Sequence, residues 1–179
     1  LRNRLDYWYA PTPNGEFAWN YHYRDAASTA GHNFLQFVPI EQFGPHPDWF
    51  AEINGKRTTA AQDLCLTNEA VRQYVAEGVA SAIGGAVASN RERGWAEPRL
   101  FYLCREDNAE WCQCANCRDF VAKTSRTDLT LDFTNSVAAI VEKTHPTALI
   151  TFFAYQGAAP PPKQVKPRAN VVPMFCTEA

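Results

Sequence analysis

Three carboxylates and an indole fall within one short stretch, Arg105-Glu106-Asp107-Asn108-Ala109-Glu110-Trp111, which follows the apolar run Arg99–Cys104. Two adjacent carboxyls leaving a buried strand repel each other unless each finds its own donor or turns a different way. Such an arrangement raises one pKa and leaves the other group ionised. That pairing is what glycosidic cleavage needs: one group protonates the leaving oxygen while the other attacks or polarises. Tyr155 and Gln156 follow a second apolar run, and Thr177 and Glu178 follow a third. Aromatic faces pack on pyranose C–H groups and amides bridge hydroxyls, so the inventory looks like a sugar site. Glu106 and Asp107 are the candidate catalytic groups. Asn108, His32, Trp111, Tyr155, Gln156 and Glu178 are candidates for substrate contact. Blander roles compete: Asn108 can close an Asx turn, His32 can be a satisfied turn histidine, and Glu110 can be solvated surface.

A second concentration of chemistry is Cys104-x7-Cys112-Gln-Cys114-Ala-Asn-Cys117. Thiolates two or three residues apart can share a tetrahedral centre, so Cys104, Cys112, Cys114 and Cys117 form a possible structural zinc site. Disulfides within the cluster and free thiols are the alternatives. Cys65 and Cys176 stand apart, and no histidine near the cluster in sequence suggests a catalytic cysteine.

The elements that must position these groups follow from periodicity. Val71, Tyr74, Val75, Val79, Ala82, Ile83, Ala86 and Val87 share one face of a helix over Asn68–Ala88, capped by Thr67 or Asn68. A second helix is expected over Asp128–Thr144, ended by His145-Pro146. Arg99–Cys104, Ala148–Tyr155 and Asn170–Cys176 are short and apolar throughout, as strands buried on both faces are, although Pro173 weakens the last. Asn54-Gly55 between short flanks predicts a surface hairpin within 51–60, and residues 104–120 read as a Cys-rich loop. Gly31–Pro39 is expected as a short strand or the loop leaving one. Pro45–Phe50 suits a turn into one helical turn. The alternation of helix and strand predicts an α/β fold, a parallel sheet covered by helices. A partial (β/α)8 barrel fits best, because no Gly-rich phosphate loop supports a doubly wound sheet.

The chain has 179 residues, starts at Leu1 without an initiator Met, and stops where a strand would normally hand over to a loop, so it reads as one truncated barrel domain. A net charge of −2 without basic runs excludes the footprint of a nucleic-acid binder. The longest apolar run, Ala148–Tyr155, falls far short of the ~20 residues that span a bilayer.

His46-Pro-Asp-Trp-Phe-Ala-Glu-Ile-Asn-Gly-Lys-Arg57, Leu64-Cys-Leu-Thr-Asn68, Glu106-Asp107-Asn108, Trp111-Cys112-Gln-Cys114-Ala-Asn-Cys117 and Phe153-Ala-Tyr155-Gln156 together resemble the bacterial group labelled domain of unknown function 4838. That group overlaps glycoside hydrolase family 163. The resemblance implies a (β/α)8 barrel and endo-β-N-acetylglucosaminidase action on N-glycans, with retention through the substrate's own 2-acetamido group. It places Asp107 first and Glu106 second in the catalytic centre, requires no cofactor for catalysis, names a glycan or glycoprotein as partner, and implies an exported protein. A non-catalytic carbohydrate-binding barrel and a Cys-cluster metal-binding module are the competing readings.

Overall fold

The computed structural model describes residues 31–176; Glu178 and the aromatic-rich stretch Tyr7–Tyr23 lie outside them. In chain order the elements are α1 (Phe34–Phe37), strands β1 (Glu52–Ile53) and β2 (Lys56–Arg57), helix α2 (Glu69–Glu92), β3 (Leu100–Tyr102), helices α3 (Ala115–Lys123) and α4 (Arg126–Val141), then β4 (Leu149–Ala154) and β5 (Val171–Phe175). Strands β1 and β2 form the antiparallel hairpin around Asn54-Gly55, both with positive φ. Only short, unhindered residues turn the chain so tightly. A 3-10 turn covers Pro47–Trp49.

Strands β3, β4 and β5 lie side by side in that order, and both pairs are parallel. The expected α/β architecture is therefore present as a three-stranded parallel sheet with helices, and no closed barrel is formed among the described residues. One sheet face, carrying Phe101, Ile150, Phe152, Ala154 and Val171, joins Val75, Val79, Ile83, Phe133 and Val137 of α2 and α4 in a single core. Each such side chain taken from water contributes about 2 kcal/mol. Phe34 enters the same core, its ring 5.3 Å from that of Phe133. That anchor is why Gly31–Pro39 holds one helical turn at Phe34–Phe37 instead of the expected strand or loop.

Helix α2 runs from its Asn68 cap, whose Oδ1 accepts the Val71 N–H at 3.1 Å, to Glu92, one turn past the apolar stripe, and closes at Arg93 and at Gly94 with φ +69. Helix α3 occupies part of the stretch expected to be a Cys-rich loop. Its signal was hidden because cysteines at both Cys114 and Cys117 fill its first turn. Pro173 sits in β5, an edge strand of the described sheet, where a missing N–H is tolerated.

The β4–β5 connection contains no α-helix. Residues 160–170 instead run along α4, and Asp128 holds them there. Its carboxylate accepts the N–H groups of Lys163, Gln164 and Val165 at 2.8, 2.8 and 2.6 Å, while Ser125, the helix cap, donates its hydroxyl. Burial opposes ionisation, but these donors outweigh it and hold the carboxyl at about 2. A depressed carboxylate pKa stabilises the fold above its ordinary value near 3.8 and loses that contribution as pH falls through about 2. Asp128→Asn is accordingly expected to cost about 2 kcal/mol at pH 7. Urea unfolding at pH 7 and pH 3 checks this, since the deficit should shrink at the lower pH.

Candidate active site and metal centre

Because β3 and β4 are parallel, their carboxyl ends release residues 105–107 and 155–157 side by side. Asn33 ties a third segment to this edge. Its side chain donates to the Tyr102 carbonyl at 2.9 Å and accepts the Cys104 N–H at 2.8 Å, while its backbone N–H reaches the Cys104 carbonyl at 3.0 Å. His32 is thereby fixed at the mouth. Its Nδ1 donates to the Arg105 carbonyl, which leaves Nε2 facing Asp107 Oδ2 at 4.0 Å. The ring also stands edge-on to Phe153 at 5.6 Å.

The two adjacent carboxyls have separate environments. Glu106 turns inward, where Oε1 accepts the Leu35 N–H at 3.3 Å and burial pushes its pKa up. Asp107 stays more than half exposed and its Oδ1 accepts the Gln156 amide at 3.1 Å. Gln156 reaches it from a left-handed backbone, φ +48. His32, Arg105, Glu106, Phe153, Tyr155 and Gln156 line a cavity of about 20 Å³. This is space for one water, so a larger ligand would rest across its rim.

The same loop is braced from behind. Arg105 binds Asp63 through Nε at 3.0 Å and Nη2 at 2.5 Å, and both side chains are almost fully buried. The Arg105 guanidinium also lies 3.8 Å over the Trp111 ring, which Arg126 approaches at 5.3 Å. Trp111 is buried, lines a separate groove with Cys112 and Arg118, and leaves the mouth to the other candidates. Asn108 spends its amide bracing the loop, donating to the Ala61 carbonyl of a distant segment at 2.8 Å and accepting the Glu110 N–H at 3.0 Å. His32, Glu106, Asp107, Tyr155 and Gln156 are therefore brought together, whereas Asn108 and Trp111 support the loop.

The sulfurs of Cys65, Cys112, Cys114 and Cys117 lie within 4.8 Å of one another, a group that could hold a metal ion. Cys65 stands 3.6 Å from Cys114 and 3.8 Å from Cys117. Thiolates bound at ~2.3 Å to a tetrahedral ion sit about 3.8 Å apart. None of the six cysteines is in a disulfide. This corrects the expected ligand set in one place. Cys104 lies two residues past β3, wholly buried and paired with Asn33 through its backbone, and burial pushes its thiol pKa up. Cys65 takes its place.

The surroundings suit thiolates. Cys114 caps α3 and Cys117 lies in its first turn, at the positive end of the helix dipole. The Glu52 N–H reaches Cys112 Sγ at 3.3 Å, Arg57 lies 3.7 Å from the same sulfur, and the Thr67 hydroxyl is 3.2 Å from Cys117. Sequence inspection missed Cys65, Arg57, Thr67 and the Asp63–Arg105 pair. The available signal for Cys65 was that Cys104 belongs to a buried apolar run, which leaves Cys112, Cys114 and Cys117 one donor short.

The fold and these two centres define an α/β protein with an acidic mouth at parallel strand ends beside a four-cysteine cluster. The family described as Domain of unknown function (DUF4838) matches residues 2–177, and the chain belongs to it. No curated protein and no solved structure matches the chain. Among the described residues, no helix is long and apolar enough to cross a membrane.

Proposed function

We propose that this chain carries part of a glycoside hydrolase site for N-acetylglucosamine-containing glycans, on a sheet that is a segment of a (β/α)8 barrel. The observation carrying this reading is the delivery of Glu106 and Asp107 by one parallel strand, and of Tyr155 and Gln156 by its neighbour, to a common mouth. The suspected overlap of the family with glycoside hydrolase family 163 adds to it. Burial favours the neutral form of Glu106, which suits the proton donor to the leaving oxygen. Asp107, held by Gln156 and facing His32, suits the carboxylate that polarises the substrate's acetamido group.

The test uses the full-length protein and a complex N-glycoprotein. Glycan release should fall at least about a hundredfold in Asp107→Asn and in Glu106→Gln with folding intact. Equal release by Asp107→Asn would end its catalytic role. Glycan binding without products, surviving both substitutions together, would favour a binding module.

The ion we assign to the cysteine centre is zinc, because four soft thiolates at tetrahedral spacing suit it and leave no open position for catalysis. Its role is structural. Metal analysis of the purified full-length protein should find about one zinc per chain.

A further inference from the structure

The acid-bearing loop and the cysteine centre share their supports, and we propose that a metal held by Cys65, Cys112, Cys114 and Cys117 acts as a clamp that sets the position of residues 105–110 at the mouth. This inference rests on the metal reading above. Cys65 and Cys114 are 49 residues apart in sequence, so a shared ion would join two distant segments of the chain. Each segment grips the loop. On one side Asp63, two residues before Cys65, takes the Arg105 guanidinium, and the Ala61 carbonyl takes the Asn108 amide. On the other side the loop runs directly into Cys112 through Trp111, whose ring lies against Arg105. Leu35 and Gln156 hold the two carboxyl groups from the mouth side, and the grips of the two segments set where the loop delivers them.

The effect reaches the neighbouring strand end. A Cβ on Gly157 would stand 3.0 Å from Arg126 Cδ and 3.1 Å from Trp111 ring atoms, so the turn that carries Gln156 lies close against both side chains. Moving Trp111 therefore moves Gln156 relative to Asp107. Other links between the two segments run through the hairpin and Thr67: Trp49 and Ala51 bond the 63–65 segment, Glu52 and Asn54 bond Gln113, and the Thr67 hydroxyl reaches Cys117. The bond between Asn54 and the Gln113 side chain lies at the surface, while those from Trp49 and Ala51 to the 63–65 segment are buried. The packing of α4 on β4 uses apolar side chains such as Phe133 and Ile150, in the same core that the four cysteines join, so the apolar contacts between that helix and strand remain when the sulfurs lose an ion. A clamp of this kind is local, and metal loss loosens the mouth before it unfolds the core.

Hydrogen exchange read by mass spectrometry on the full-length protein tests this, with zinc bound, stripped by a chelator, and restored, and with zinc counted in each state. On zinc loss, peptides covering 58–66 and 105–113 should exchange at least about tenfold faster while those of α4 and β4 stay unchanged, and one equivalent of zinc should reverse the change. Cys65→Ser should reproduce the stripped pattern. Zinc leaving with no change in 105–110 would overturn the clamp but not the metal site. All peptides accelerating together would overturn it in favour of a metal that holds the whole fold. A protein that neither carries nor takes up zinc would sink the metal reading itself, and the clamp with it.

Discussion

Cys65→Ser is expected to weaken zinc binding by the full-length protein as much as Cys114→Ser does, whereas Cys104→Ser leaves it unchanged. A structural zinc site contributes about 10–16 kcal/mol, so losing one of four thiolates costs roughly 3–4 kcal/mol, a few hundredfold in affinity. The three variants separate two pictures of the cluster. If the ligands were neighbours in sequence, Cys104 would matter and Cys65 would not. The structure places the Cys65 sulfur among the other three and encloses Cys104 just past the end of β3. Competition against a chromogenic chelator measures all three affinities. A Cys104→Ser protein that loses zinc while Cys65→Ser keeps it would refute the assignment.

The second large effect concerns the buried pair behind the mouth. Asp63→Ala leaves the Arg105 guanidinium without its carboxylate, in a place where its side chain is only 10 % exposed. Breaking a buried pair by removing one partner costs about 3–5 kcal/mol, because the remaining charge has lost both its counter-charge and its water. The Glu110 carbonyl and the Trp111 face still contact Arg105, which argues for the lower end, about 3 kcal/mol. Replacing both residues, Asp63→Leu with Arg105→Met, should cost less than Asp63→Ala alone, since no orphaned charge remains. Guanidinium unfolding of the single and double variants decides the matter. A double variant less stable than the single one would mean that the pair itself holds the fold.

Much of this architecture is legible in the sequence. The helical stripe from Val71 to Val87 and the uniformly apolar runs ending at Cys104, Tyr155 and Cys176 announce their elements because periodicity and burial act on neighbours. Caps follow the same rule, as at Asn68. Asp128 was harder. It belongs to the first turn of α4, but its carboxylate serves a segment more than thirty residues away, and nothing local to Ser125-Arg-Thr-Asp128 signals that. The linker between β4 and β5, by contrast, is legible in Pro160-Pro-Pro162, which no helix interior accommodates.

Sequence alone determined that adjacent carboxyls, an aromatic and an amide leave short buried strands, and that closely spaced cysteines between Cys104 and Cys117 are a possible metal site. Only the tertiary structure decided which groups meet: Cys65 and not Cys104 at the sulfur cluster, Gln156 on Asp107, and Trp111 clasped by arginines behind the mouth. The physical reason is reach. Hydrogen-bond periodicity and side-chain alternation act over a few residues, whereas coordination and charge pairing act over a few ångströms between segments that only the packed sheet and helices bring together.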